Sequence, residues 1–293
     1  MASEAIALEK HAPRKQMVPR HILATRYLSL LLLAVLLAGV LFPLVVITLN
    51  SFKTEDEYFR SGPLSIPERF SLDNVRAVWE RLDYTVKLRN SFIISITTAV
   101  AGVTISLLNA FALGIGKIKG RAFFLIFFVM AITLPQESLA YPLYYMFKEV
   151  GLYDSRWSIV IIFAVLHSAF GTYLLTSVFA AFPDEILDAA VIDGCNKVQL
   201  LLRIVVPINW PSLSVLFVFF FIWTWNEFFL PLIFLISNAN QTVPLAVAMF
   251  QGQRGAAATF QSTAALLGVL PCILFFILFQ RTLSKGIVAG SIK

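Results

Sequence analysis

Charge is what this chain has least of: Asp, Glu, Lys and Arg make up 14% of it, against about 25% in soluble domains. That composition excludes a water-solvated globule as the general plan. Cysteine is nearly absent, and the two present, Cys195 and Cys272, fall in segments of different character and offer no disulfide framework. The three histidines, His11, His21 and His167, are scattered, so no HExxH helix or Cys/His cluster is available to hold a metal. No GxSxG elbow occurs. The nearest thing to a phosphate loop, Gly114 to Gly120, lacks the GxxxxGK followed by Ser or Thr. Neither covalent catalysis nor a cofactor is therefore expected of this chain, and no solenoid repeat or low-complexity tract is visible.

What the chain has is apolar length. It is 58% hydrophobic with a mean hydropathy of +0.80 and 27 Phe. Crossing a bilayer takes about 20 mostly apolar residues, and runs of that kind lie near 27–49, 91–115, 122–147, 157–181, 207–236 and 262–282. The fold expected is an all-α membrane protein with six transmembrane helices. Basic residues are retained on the cytosolic side, and they cluster in the arm (Lys10, Arg14, Lys15, Arg20, Arg26), the second link (Lys117, Lys119, Arg121) and the tail (Arg281, Lys285, Lys293). Both termini are thus expected in the cytosol. Against this stands the outer loop 52–89 with seven basic residues; it also holds seven acids, and long loops obey the rule less strictly than short ones. The resulting plan is a cytosolic arm over 1–26, a first helix with its outer loop over 27–89, a transmembrane core over 90–283 and a cytosolic tail over 284–293. The first apolar run is too long for the core of a cleavable signal and no small-residue cleavage site follows, so it reads as a retained helix. The formal charge of +6 suits flanks facing anionic lipid and does not call for nucleic acid.

Within the second span Gly102, Ser106, Ala110 and Gly114 recur every four residues, one narrow stripe that lets another helix approach closely. Intrachain packing and an intersubunit seam both fit. In the third span Pro135 and Pro142 bracket Gln136, Glu137 and Ser138. Irregular backbone at membrane depth is tolerated only against protein or a watery cavity, so this stretch marks a cavity wall, and Glu137 is a candidate for the path or for an interhelical contact. The fifth span holds Trp223, Trp225, Asn226 and Glu227. Indole faces stack on the apolar faces of sugar rings while amide and carboxylate meet hydroxyls, which makes a sugar path chemically reasonable; an interfacial aromatic belt and a capped kink before Pro231 fit as well. His167 in the fourth span reads as a packing residue.

Between the fourth and fifth spans, Asp184 to Pro211 interrupts the apolar sequence with Asp184, Glu185, Asp188 and Asp193. Asp184 after Pro183 is placed to cap a short helix; Ala189 and Ala190 give it a flat face, and Asp193-Gly194 ends it. Val198, Leu201 and Leu202 then form an apolar patch before Pro207 opens the next span. Such an element suits a groove in a cytosolic partner; an amphipathic helix lying on lipid is the rival.

The order Asp188-Ala189-Ala190, Gly194, Ile204, Pro207 resembles the EAA loop of ATP-binding-cassette import permeases, with Asp for the usual Glu and Val206 for the usual Leu. FPLVVITLNSFK, RNSFIIS, PLYYMFKEVGLYDS, WNEFFLPLIFL and KGIVAGSIK extend the resemblance over nearly the whole chain, to the second permease subunit of the carbohydrate-uptake, maltose-type branch. The resemblance implies a multi-pass subunit in a bacterial or archaeal cell membrane. It implies three partners: a second permease subunit, a cytosolic ATPase dimer that binds the ATP and Mg, and an extracytoplasmic sugar-binding protein. It places ATPase docking in a coupling loop over 184–207, at Asp188, Ala189, Ala190, Asp193, Gly194, Val198, Leu201 and Pro207. The outer loop from Ser237 to Gln261, with Arg254, is a candidate contact for the binding protein or a passive linker. Cargo other than sugar, such as glycerol phosphate, a polyol or an amino sugar, fits the same plan. A six-helix secondary carrier using Glu137 and Glu227 leaves the polar insert unexplained.

Overall fold

A computed structural model describes residues 20–251 and 257–291, with side chains placed for 26–251 and 257–281. Residues 1–19 of the arm, Arg254 and Lys293 lie outside the described residues. In chain order the helices are α1 (Arg20–Ser51), α2 (Glu55–Ser61), α3 (Asp73–Arg81), α4 (Tyr84–Ala110), α5 (Arg121–Thr133), α6 (Ala140–Glu149) and α7 (Arg156–Ala180). There follow α8 (Asp184–Ile192), α9 (Lys197–Gln199), α10 (Val206–Ile208), α11 (Trp210–Asn226), α12 (Phe229–Phe234), α13 (Val243–Gln251) and α14 (Ala258–Ser291). No strand occurs among the described residues. Helical backbone over 284–291 means that the expected tail continues α14.

Four segments, Arg26–Ser51, Tyr84–Ile115, Arg156–Ala180 and Ala258–Arg281, are each long and apolar enough to cross a bilayer. Two bent pairs raise the total to as many as six: Arg121–Thr133 with Gln136–Glu149, at 93°, and Lys197–Ile208 with Trp210–Asn226, at 80°. The span expected over 122–147, with its proline bend, is two helices. Leu134, held extended at ψ 126° by the proline that follows it, and Pro135, without an N–H, end α5 and turn the chain. The second bend falls at Asn209, within the run expected over 207–236, where Pro207 and Pro211 both remove backbone donors. Every side chain from Tyr27 to Phe42 is exposed, and α5 buries none. Such apolar surface is at home in hydrocarbon and not in water.

The centre of the molecule is α4 against α7, with α11 on α4. Gly102, Ser106, Ala110 and Gly114 face this packing: a Cβ on Gly114 would meet Phe179 Cβ at 2.7 Å, and one on Gly171 would meet Ser106 Cβ at 2.8 Å. Ser106 Oγ donates to Gly102 O at 2.6 Å within α4 and reaches Ser168 O on α7 at 3.3 Å. The small-residue stripe is thus an intrachain seam.

Polar side chains tie one end of the molecule together. Lys53 is fully buried and donates to Asn50 Oδ1 and Gly62 O, while Asn74 Nδ2 donates to Ser51 O and Lys53 O, fastening the end of α1 to α2 and α3. Burial holds its ammonium below the ordinary lysine range, against the pull of Glu57. Lys87 donates to Asn238 O and Oδ1, and Asn90 donates to Ala239 O and Gln241 O, so residues 238–241 are strapped to α4. Asp154 accepts from Ser237 N, Ser237 Oγ and Asn240 Nδ2. Burial alone would raise its pKa, but these hydrogen bonds outweigh it and hold the carboxyl below its ordinary range.

Pro271 lies inside α14 and has no N–H for the carbonyl four residues back, that of Leu267. Tyr84 supplies the missing donor: its hydroxyl reaches Leu267 O at 2.6 Å from the start of α4.

Candidate functional site

Two features stand out, a hollow where two helix breaks meet and a protruding elbow between α7 and α11. The hollow, about 400 Å³, is lined by Gln136, His167, Ile222, Trp223, Asn226 and Glu227. Gln136 begins the 3-10 turn after the break that ends α5, and Glu227 follows the last residue of α11 with its backbone extended at ψ 133°. The two breaks bond to each other. Gln136 Nε2 donates to Glu227 Oε2 at 3.0 Å, and Glu227 Oε1 accepts from Phe229 N at 3.1 Å, capping the start of α12. The carboxylate thus satisfies the Phe229 N–H, a backbone donor that the break leaves outside the helical ladder, and ties it to the other break through Gln136. His167 stands eleven residues from Arg156 and thirteen from Ala180, near the middle of α7. Asn226 Nδ2 donates to Ile222 O, and Cys272 Sγ donates weakly to Asn226 Oδ1 at 3.4 Å, bringing α14 to the same wall.

Of the path residues expected from sequence, Trp223, Asn226 and Glu227 line this hollow. Glu137 is exposed and outside it; its neighbour Gln136 faces inward. Trp225, at 2% exposure, is packed in the core among Phe92, Phe221 and Phe275. His167, a packing residue by its sequence setting, packs against Phe163 and Phe220 and also lines the hollow. Proximity to Pro135 was the available signal for Gln136, but nothing local in sequence pairs it with a residue 91 positions away. A larger apolar groove of about 540 Å³, with Leu107, Trp210, Leu213 and Phe217 on its walls, includes no charged residue.

The elbow is built by local rules. Pro183, not Asp184, occupies the N-cap of α8, and no side chain caps it; Asp184 pairs instead with Lys117 Nζ at 3.1 Å, both exposed. At the other end Gly194, at φ +79°, closes a Schellman motif: Cys195 N donates to Ala190 O and Gly194 N to Val191 O, both at 3.0 Å. Asn196 and Gln199 then form a reciprocal capping box at 2.9 Å each way. A π-helical turn, Leu200–Val205, leads into the bend. Ala190 and Leu201, expected on the docking face, are buried in the core beside Phe179, Leu200 and Val205. They seat the elbow. The outward side carries Val191 at 64% and Ile192 at 85% exposure, with Val198, Leu202 and Ala189 also exposed. Asp188 and Asp193 are exposed among them, as is Pro207. Val191 and Ile192 had not been singled out from sequence, although an apolar pair next to a helix-ending Asp-Gly was the available clue.

Residues 102–288 match the family described as binding-protein-dependent transport system inner membrane component. The chain belongs to this family. Among relatives, the trehalose/maltose transport system permease protein MalG of Thermococcus litoralis is 30% identical over 264 residues, covering 89% of this chain and 94% of that one. The inner membrane ABC transporter permease protein YcjP of Escherichia coli is 28% identical over 263 residues, with coverage of 89% and 94%. The diacetylchitobiose uptake system permease protein DasC of Streptomyces coelicolor is 27% identical over 261 residues, with coverage of 88% and 94%. Among solved structures, a bacterial ABC transporter involved in the import of the acidic polysaccharide alginate superimposes with a TM-score of 0.80 at 17% identity, over 91% of this chain and 99% of that one. This permease is accordingly a multi-pass, non-catalytic membrane component of an ABC importer.

Proposed function

We propose that this permease is one half of the translocation path of an ATP-driven sugar or oligosaccharide importer, with six crossings, both termini in the cytosol and the α8 elbow docked on the ATPase. The observation that carries the path is the junction of two interrupted helices at Gln136 and Glu227, opening on Trp223 and Asn226. Indole and amide-carboxylate chemistry suits a polyhydroxylated ring, and carbohydrate names recur among the relatives. The elbow reading is supported by an apolar patch, Val191, Ile192 and Val198, set among Asp184, Glu185, Asp188 and Asp193. Interfaces of this composition have an apolar centre and a polar rim, which asks for an apolar cleft with basic margins on the partner. The buried Ala190 and Leu201 link that patch to the core through Val205 and Phe179. Closure of the ATPases would then be passed to α7 and α11 as a rigid displacement. ATP and Mg belong to those partners; a second permease subunit and a sugar-binding protein complete the assembly, and Glu137 and Trp225 act from outside the hollow.

The test is purification of the membrane complex in mild detergent with the Ile192→Asp variant beside the wild type. An acid at the most exposed apolar position of the elbow is expected to strip the ATPases from the complex while the second permease stays bound. Full retention of the ATPases would refute the docking face. ATP-dependent uptake of maltose, trehalose or diacetylchitobiose by wild-type proteoliposomes checks the cargo class, and uptake driven by an ion gradient without ATPase would overturn it.

A further inference from the structure

We infer that His167 is a cargo-contacting, specificity-determining residue of the hollow, meeting a hydroxyl of a ring laid against Trp223. The inference rests on the hollow being part of the path. The carboxylate and the Asn226 amide of the wall are already engaged within the protein. Glu227 accepts from Gln136 Nε2 and Phe229 N; the Asn226 amide is divided between Ile222 O and Cys272 Sγ. His167 is different. Its Nδ1 is buried and without a hydrogen-bond partner among the described residues, although the ring itself lines the cavity. A neutral imidazole always presents one donor and one acceptor, and buried polar atoms in native proteins are paired as a rule, so an orphan calls for a reason.

The surroundings supply no such partner. Phe163 stacks on the ring at 5.3 Å with 19° between planes, Phe220 lies at 5.3 Å, and Trp223 meets it edge-on at 5.6 Å. These walls hold the imidazole in one plane while leaving its nitrogens unengaged, the arrangement of a group fixed in place before its ligand arrives. Nδ1 itself is enclosed, so its contact with cargo requires a half-turn of the ring within the aromatic slot, which exchanges the positions of Nδ1 and Cδ2. A sugar hydroxyl both donates and accepts and therefore satisfies either tautomer. The indole of Trp223, 39% exposed and next to His167, offers the apolar surface that the ring's C–H face requires.

The experiment uses the whole transporter, with second permease, ATPases and binding protein, in proteoliposomes. The probe is whichever of maltose, trehalose and diacetylchitobiose the wild type takes up, followed by its monodeoxy analogues. His167→Phe keeps an aromatic ring in the slot but cannot hydrogen-bond; His167→Gln restores a donor and an acceptor. The Phe variant is expected to raise the KM of uptake roughly two- to tenfold, the worth of one neutral hydrogen bond, with kcat changed far less, and Gln is expected to recover most of the loss. One deoxy analogue is expected to be handled equally by wild type and His167→Phe, identifying the hydroxyl. An unchanged KM in His167→Phe, or Gln behaving no better than Phe, overturns the inference. Trp223→Ala run in parallel separates the two readings: if it raises KM while His167→Phe does not, His167 is packing alone, and if both are silent the hollow is not on the path.

Discussion

Substitution of Gly194 isolates the elbow from every other feature of the protein. The residue sits at φ +79°, and a Cβ built on it would have nothing within 4 Å. A side chain there meets no clash, so the whole effect is backbone strain. For an L-residue the left-handed conformation costs roughly 1–2 kcal/mol, enough to depopulate the Schellman closure by about five- to thirtyfold. Opening it would free Ala190 O and Val191 O and swing the Val191-Ile192 edge relative to the buried Ala190. Gly194→Ala is expected to reduce cargo-stimulated ATPase activity of the reconstituted complex several-fold. Gly194→Val, β-branched and worse suited to positive φ, is expected to abolish it. Asn tolerates this conformation, so Gly194→Asn is expected to fall closest to wild type. The order Gly, Asn, Ala, Val is the signature of strain as the cause. Full coupling in Gly194→Val, or Asn as damaging as Val, would refute the argument, with recovery of the complex from the membrane serving as the control for insertion.

Tyr84→Phe removes the donor that Pro271 makes necessary and leaves Leu267 O unpaired, so thermal stability in detergent is expected to fall by about 1–3 kcal/mol. Pro271→Ala returns an N–H to α14, and the double variant is expected to lose less than the sum of the two singles; strict additivity would show that the Tyr84 hydroxyl is not compensating the proline. Asp154 gives a pH dependence whose sign follows from its lowered pKa. Because the folded value lies below the unfolded one, about 3.9, the stabilisation is fully present above the unfolded value and is lost as pH falls through the folded one. Hydrogen-exchange protection of residues 237–240 is expected to be level from pH 7 to 5 and to fall only below about pH 4; loss of protection between pH 6 and 5 would contradict the assignment.

Much of the candidate site was legible locally. Pro135 and Pro142 announced irregular backbone, Trp223, Asn226 and Glu227 a polar wall, and Asp193-Gly194 the end of a short helix. Each follows from the chemistry of one to four adjacent residues. Selection among neighbours was not legible. Glu137 and Trp225 have the same chemical credentials as Gln136 and Trp223, yet one faces away from the hollow and the other is buried. One residue of a helix is about 100° of rotation, so a choice between adjacent positions depends on the phase of α11, which packing chiefly against α4 and α14 sets, and on that of the 3-10 turn, which leads into α6. The elbow erred in the same way. Ala190 and Leu201 were expected to face a partner and instead anchor the element, while Val191 and Ile192 face outward.

What the sequence determined by itself was the medium and the outline: too few charges for water, apolar runs of membrane length, and a polar interruption between the fourth and fifth. Those are properties of composition and spacing, and they hold whatever the packing. Tertiary structure alone decided that two breaks 91 residues apart share a hydrogen bond, that Tyr84 completes a helix 183 residues away, and that the small-residue stripe from Gly102 to Gly114 is spent on α7 and α11. The physical reason is the same in each case. A hydrogen-bond vacancy or a flat face is written locally, but the group that fills it is selected by which helices come to lie together.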